Sequence, residues 1–230
     1  MFNYKFYKTH KDQEVYSNRF DKNLWANVFL LSGGIILFLV GMILYGIITN
    51  IREIPLNENM ANKGIKKFND PNIVVDRSNY SLSIYEDTLF VKSYRAVFGK
   101  NNKVAKTKIG DLATPVGEYK ICKIDTVSKY HKFFKINYPN LTDAMNGLSK
   151  GRINQEQFDQ LKYEYYYSNC TQLITGLGGN IGIHGTGKLN FIFKNLPFVF
   201  NWTDGSIAIS DEDIDELYSV VKRGTKVVIK

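Results

Sequence analysis

The stretch I-G-I-H-G-T-G, residues 181–187, ends a hydrophobic run in His184, and the flanking glycines let other backbone or a substrate come close. An imidazole so placed can take up and return a proton near neutral pH. Downstream, N-W-T-D-G-S-I-A-I-S, residues 201–210, sets Asp204, Gly205 and Ser206 in a short turn. Successive amides of such a turn can converge on one anion. A base, a hydroxyl and an amide nest are the parts of a nucleophilic acyl transfer. Each also has an ordinary use, since a histidine at a strand end is commonly structural and an Asp-Gly turn commonly joins two strands. His10 and His131 stand in polar, charged surroundings and read as surface residues. With one histidine in a motif and no carboxylate or thiolate at ligand spacing, no metal is expected. No nucleotide-binding motif occurs, so no cofactor is expected either.

The elements that must position these residues are mostly strands. N-I-V-V-D-R, S-L-S-I-Y-E and T-L-F-V-K-S-Y-R-A-V-F are β-branched and aromatic runs parted by turn residues, which predicts a meander. E-Y-K-I-C-K-I, G-G-N-I-G-I-H and the closing T-K-V-V-I-K continue the β pattern. Between them, Asn154 can cap a helix carrying Phe158, Leu161 and Tyr165 on one face, within a Tyr-rich insertion over about 130–178 that reads as a helical flap or lid. Its tyrosines, Tyr163, Tyr165, Tyr166 and Tyr167, can cover a bound strand or simply pack the insertion onto the sheet. Ser210 followed by Asp213, with Ile214, Leu217, Tyr218 and Val221 at helical spacing and Gly224 beyond, predicts the clearest helix of the soluble part.

No charged residue occurs from Asn23 to Ile51. About 20 apolar residues cross a hydrocarbon core of roughly 30 Å, so residues 24–49 are read as a transmembrane helix and the lipid bilayer as a partner. Basic residues on the two sides lean slightly toward a cytoplasmic segment 1–23. Residues 50–71 are polar and aperiodic and read as a tether, leaving 72–230 as one domain large enough to bury a core.

Composition narrows the partners. Of 230 residues, 44% are hydrophobic and 23% charged, which is globular rather than disordered composition. The formal charge of +8 is spread through the chain without a block of five like charges, so no nucleic-acid partner is indicated. Cys122 and Cys170 lie in no catalytic motif; they can form a disulfide in an oxidising compartment or remain two buried thiols.

Three separated motifs, G-D-L-A-T-P-V-G-E-Y at 110–119, I-G-I-H-G at 181–185 and W-T-D-G-S-I-A-I at 202–209, together resemble the L,D-transpeptidase catalytic domain family of bacterial cell-wall enzymes over residues 72–230. The resemblance implies a mainly β, α+β fold, a sandwich or barrel with a helical insertion. It implies a bacterial inner-membrane protein with its catalytic domain outside the cytoplasm, acting on peptidoglycan stem peptides. In that family a cysteine attacks the carbonyl of the third stem residue, the terminal D-residue leaves, and the acyl group passes to an amine or to water. Matched to those motifs, His184 is the base, Asp204 and Gly205 with residue 206 form the oxyanion hole, and Gly185, Thr186, Trp202 and Thr203 contact substrate. The nucleophile position holds Ser206, where the family motif has cysteine. A substituted active enzyme, a relative that binds without acyl transfer, and a true serine enzyme are all compatible with that departure.

Overall fold

The computed structural model describes residues 10–51, 53–196 and 200–230, with side chains from residue 23 onward, apart from residues 50–52 and 197–199. The chain forms a mixed α+β fold on one eight-stranded sheet. The strands are β1 (Pro71–Asp76), β2 (Ser81–Glu86), β3 (Leu89–Arg95), β4 (Gly117–Ser128), β5 (His131–Ile136), β6 (Gly182–His184), β7 (Ile207–Ala208) and β8 (Lys226–Ile229). Their order is β3-β2-β1-β8-β4-β5-β6-β7. β1–β8 and β6–β7 are parallel pairs and the other pairs are antiparallel.

The long β4 joins the two halves of the sheet. Its first residues pair with β8 and the remainder with β5, with register shifts that let the sheet turn. Residues leaving β3 then bridge β7 at Val97 and Ala208, bringing the two ends of the strand order together. Alternation drives this arrangement: Ile73, Val75, Leu82, Ile84, Tyr119, Ile121, Phe134, Ile136, Ile183, Ile207, Val227 and Ile229 all point into one core. Helix α6 (Asp211–Tyr218) adds Ile214 and Leu217 to that core and is capped by the Ser210 hydroxyl, which accepts from the Asp213 amide. It ends at Tyr218, short of the expected Val221 and Gly224, though Val221 is still buried.

Helix α1 (His10–Ile51) contains the apolar stretch Asn23–Thr49, whose mean hydropathy is 2.5 and which is long enough to cross a membrane. The helical backbone begins well before the uncharged stretch, so part of the leading segment is helical; the first nine residues lie outside the described residues.

The segment read as a tether is instead attached to the domain. Within it, helix α2 (Leu56–Asn62) buries Leu56, and Phe68 joins the same core with Met60 and Ile65 packed beside it. The Leu56 amide donates to Glu216 Oε1 at 3.1 Å. Four apolar residues spaced too irregularly for either a strand or a helix pattern account for the difference.

The insertion is also smaller than 130–178. β5 occupies its first residues and is a full member of the sheet between β4 and β6. What remains is a helical hairpin, α3 (Leu141–Ser149) and α4 (Gln155–Tyr167), each opened by a reciprocal capping box, from Asn140 and Asn154 respectively. Ala144, Ile153, Leu161 and Leu177 give the hairpin its own small core, with Phe158 against it. Cys122 on β4 and Cys170 after α4 are joined in a disulfide that ties the hairpin to the sheet.

Candidate functional site

The three sequence motifs converge by backbone pairing. Thr114, in the first, accepts the Gly99 amide on Oγ1 at 2.9 Å, and Gly99 bridges Thr203 in the third. Gly205 lies so close to the first motif that a Cβ on it would sit 2.7 Å from the Ala113 carbonyl oxygen; its φ of +131° also favours glycine. The second and third motifs form the parallel β6–β7 pair, in which His184 stands beside Ala208 and Ile183 beside Ile207. Ser206 therefore lies next to Gly182, whose amide donates to Ser206 Oγ at 3.3 Å. Side chains alternate along strands, so Ser206 and His184 share a face, about 8 Å apart along the diagonal between their Cα atoms at ordinary strand spacing.

Both line a groove of about 590 Å³, together with Lys100, Tyr130, Phe133, Ile181, Trp202 and Asp204. His184 is 3% exposed. Tyr130 stacks on its ring at 4.7 Å between centroids, with Trp202 at 5.8 Å and Phe133 at 6.3 Å. This apolar enclosure holds the imidazole pKa below the usual histidine value, against the opposing effects of the Gly185 carbonyl and the Asp211 charge. His184 Nδ1 lies 2.6 Å from the Gly185 carbonyl oxygen. A carbonyl can only accept, so Nδ1 carries the proton and the lone pair of a neutral ring is on Nε2. Sequence reasoning named no partner for His184; a backbone carbonyl has no sequence signal.

Asp211 is a second group that the motifs did not reveal. Its Oδ1 accepts the amides of Thr186 at 2.7 Å and Gly187 at 2.9 Å, clasping the turn that follows His184 to the start of α6. A Cβ at Gly185 would meet that oxygen at 2.4 Å.

The residues expected to contact substrate divide accordingly. Trp202 lines the groove and is partly exposed. Gly185 and Thr186 are buried behind it, and the Thr186 hydroxyl donates to Asn190 Oδ1 at 2.9 Å. Thr203 touches the groove, but its hydroxyl braces the turn, donating to the Ser206 carbonyl at 2.6 Å and accepting the Gly205 amide at 3.2 Å. That last bond removes Gly205 from the expected amide nest, leaving the amides of Asp204 and Ser206 unpaired among the described residues. The Asp204 carboxylate points to solvent and pairs with Lys100 at 3.0 Å, an exposed contact of little energetic weight.

No tyrosine of α4 reaches this groove. Tyr165 and Tyr166 line a separate cavity of about 1010 Å³, beside Asn140, Asp143 and Arg223, which shares no lining residue with the His184 groove. The hairpin is thus not a lid over His184; Tyr130 and Phe133, from the β4–β5 turn and β5, wall the groove in its place. Among the described residues no group of histidine, cysteine and carboxylate side chains is arranged to hold a metal ion.

The L,D-transpeptidase catalytic domain model, YkuD, matches residues 70–229. The chain belongs to this family. No curated protein matches it. Among solved structures, an L,D-transpeptidase from Xylanimonas cellulosilytica is 13% identical with a TM-score of 0.41, covering 77% of this chain and 70% of that one. The helical cell shape determining protein Pgp2 from Campylobacter jejuni is 20% identical with a TM-score of 0.46, covering 71% and 48%. An Enterococcus faecium L,D-transpeptidase mutant is 15% identical with a TM-score of 0.42, covering 71% and 50%. The chain spans about half the length of the latter two.

Proposed function

We propose that this member of the L,D-transpeptidase family is a membrane-anchored acyltransferase or hydrolase acting on peptidoglycan stem peptides, with position 206 as nucleophile and His184 as base. The observation that carries the reading is the His184 imidazole, held in one tautomer by the Gly185 carbonyl, on the same groove as Ser206.

In the reaction, Oγ of Ser206 attacks the carbonyl carbon of the third stem residue while His184 Nε2 takes the hydroxyl proton. Among the described residues, the amides of Asp204 and Ser206 are the unpaired donors open to the oxyanion that forms. Collapse breaks the bond to the terminal D-residue, whose nitrogen receives the proton from His184, and an ester to Ser206 remains. An amine or water then attacks that ester, its proton passing to His184 and back to Oγ. With cysteine at 206 the intermediate is a thioester and the first proton transfer is far easier, since a thiol ionises near pH 8.5.

A second reading rests on that same contrast. Burial weakens His184 as a base while Ser206 presents an alcohol, a combination that suits a non-catalytic wall-binding or regulatory protein on this fold. For location, the Cys122–Cys170 disulfide supports an oxidising compartment, and Asn23–Thr49 supports a single-pass anchor in the bacterial inner membrane.

The test incubates the full chain in detergent, as it stands and as Ser206→Cys, with a tetrapeptide muropeptide, and follows products and protein mass by mass spectrometry. Turnover by the serine form makes it a serine acyltransferase or hydrolase. Turnover by Ser206→Cys alone fixes 206 as the nucleophile position and marks the serine form as disabled for acyl transfer. Silence from both removes the enzymatic reading.

A further inference from the structure

Between Thr186 and Trp202 the chain leaves the groove and returns to it, and on that excursion it forms helix α5 (Asn190–Asn195). Its faces differ. Phe193 lies under the Arg95 guanidinium at 4.7 Å, the Leu196 carbonyl accepts from Arg95 Nη1 at 2.6 Å, and Asn195 is buried. Leu189 just before the helix and Phe191 and Ile192 within it are nonetheless 45%, 64% and 49% exposed, and Phe200 beyond the helix is 51% exposed. Large apolar side chains clustered in water at this density call for a partner.

The position of α5 identifies that partner. α5 packs on α1 at Gly46, so closely that a Cβ there would lie 1.9 Å from the Asn195 carbonyl oxygen. Tyr45, Gly46 and Thr49 of α1 also share a cleft of about 270 Å³ with Phe193 and Leu196. The apolar span Asn23–Thr49 has 27 residues and is about 40 Å long, whereas the hydrocarbon core is roughly 30 Å thick. Centred in a bilayer, the span leaves about 5 Å at each end in the headgroup layer, and Gly46 falls about 5 Å from its end. α5 is thereby set at the boundary between acyl chains and headgroups, the depth at which interfacial helices bury an apolar face. Lys188, just before it, is placed to meet lipid phosphates.

We propose that the exposed face of Leu189, Phe191 and Ile192 is a bilayer-docking surface, which seats the His184–Ser206 groove at the membrane. The proposal rests on reading Asn23–Thr49 as a membrane span. Because α5 follows directly on the turn that Asp211 clasps, the groove would open beside the headgroups and favour stem peptides carried near the bilayer.

The test uses the full chain in phosphatidylethanolamine and phosphatidylglycerol nanodiscs, with p-benzoylphenylalanine replacing Leu37 in the span, Phe191 on α5, or the exposed Tyr167 at the end of α4. After irradiation, lipid adducts are counted by mass spectrometry. Adducts at positions 37 and 191, each severalfold above position 167, are expected. Adducts at 37 with 191 no higher than 167 overturn the docking surface and leave the anchor standing. No adducts at 37 overturn the anchor, and the docking surface with it.

Discussion

His184 Nδ1 and the carbonyl oxygen of Gly185 are 2.6 Å apart, so the ring is oriented by the residue that follows it in the chain. The bond makes Nε2 the basic nitrogen, and burial beneath Tyr130, Phe133 and Trp202 keeps the ring neutral below its ordinary value of 6.5. A base with a lowered pKa remains competent into mild acid. The acid limb of the pH–rate profile of Ser206→Cys is therefore expected to fall below pH 6.5; a midpoint above it contradicts the assignment of His184 as a buried base. The same shift sets a stability trend. A histidine whose folded pKa is lowered contributes stability above its unfolded value and loses it as pH falls through 6.5 toward the folded pKa.

Asp211 holds two amides of the turn after His184 on one carboxylate oxygen. Asp211→Ala leaves both without a partner and is expected to cost about 2–3 kcal/mol in denaturant unfolding, at roughly 1–3 kcal/mol for an unsatisfied buried group. Asp211→Asn keeps an acceptor at the same place and should recover much of the loss. Equal stability for the alanine variant and the parent would show that the clasp is dispensable.

At Gly205 the backbone is in a region that side chains avoid, and the space a Cβ needs is taken by the Ala113 carbonyl. Gly205→Ala is expected to destabilise by about 1–3 kcal/mol. Since the turn shifts with it, acyl-enzyme formation by Ser206→Cys should fall more steeply than folded fraction, which circular dichroism and intact mass on one sample can compare.

The strands and the capped helices were legible because their signals are local. Alternation marks Ile73 and Val75 as inward, and the Asn154 and Ser210 caps sit within three residues of the amides they satisfy. That His184 and the turn at 203–206 face one groove was legible through motif resemblance. Their partners were not, because Gly182 reaches Ser206 across 24 residues and Asp211 reaches Thr186 across 25. The position of the helical hairpin was not legible for a related reason. A Tyr-rich helix shows what it can bury but not which side of the sheet it covers, and here a disulfide holds it beside a different cavity. Leu56 and Phe68 were missed as core residues because the apolar positions of their segment follow neither a strand nor a helix period and are buried by parts of the chain distant in sequence.

Cys122 and Cys170 close a loop with a sequence separation of 48. Loop-closure entropy at that length is about 4 kcal/mol, and native disulfides are typically worth about 2–4 kcal/mol. Dithiothreitol should lower the thermal midpoint of the parent chain and leave that of Cys122→Ala/Cys170→Ala, already lower, unchanged. If the reductant moves both equally, the cysteines are not bonded.

Asp213 gives the opposite pH signature to His184. Burial pushes its pKa from 3.8 up to about 6, helped by Glu53 and Glu216 and opposed by the Ser210 hydroxyl and Lys92. An acid whose folded pKa is raised contributes stability that is complete below its unfolded value near 3.8 and disappears as pH rises through 6. At pH 7.5 the folded protein thus carries an ionised carboxylate in an unfavourable place. A rise of this size corresponds to at most about 3 kcal/mol, and partial solvent access reduces it to about 1–2 kcal/mol. Asp213→Asn removes the charge and can still face the Ser210 hydroxyl, so it is expected to unfold at a higher temperature than the parent at pH 7.5. The advantage should shrink through pH 6 and vanish near pH 4. A variant less stable than the parent at pH 7.5 would mean that the charge is needed at the start of α6, where acidic side chains are ordinarily favourable, and that this outweighs its burial.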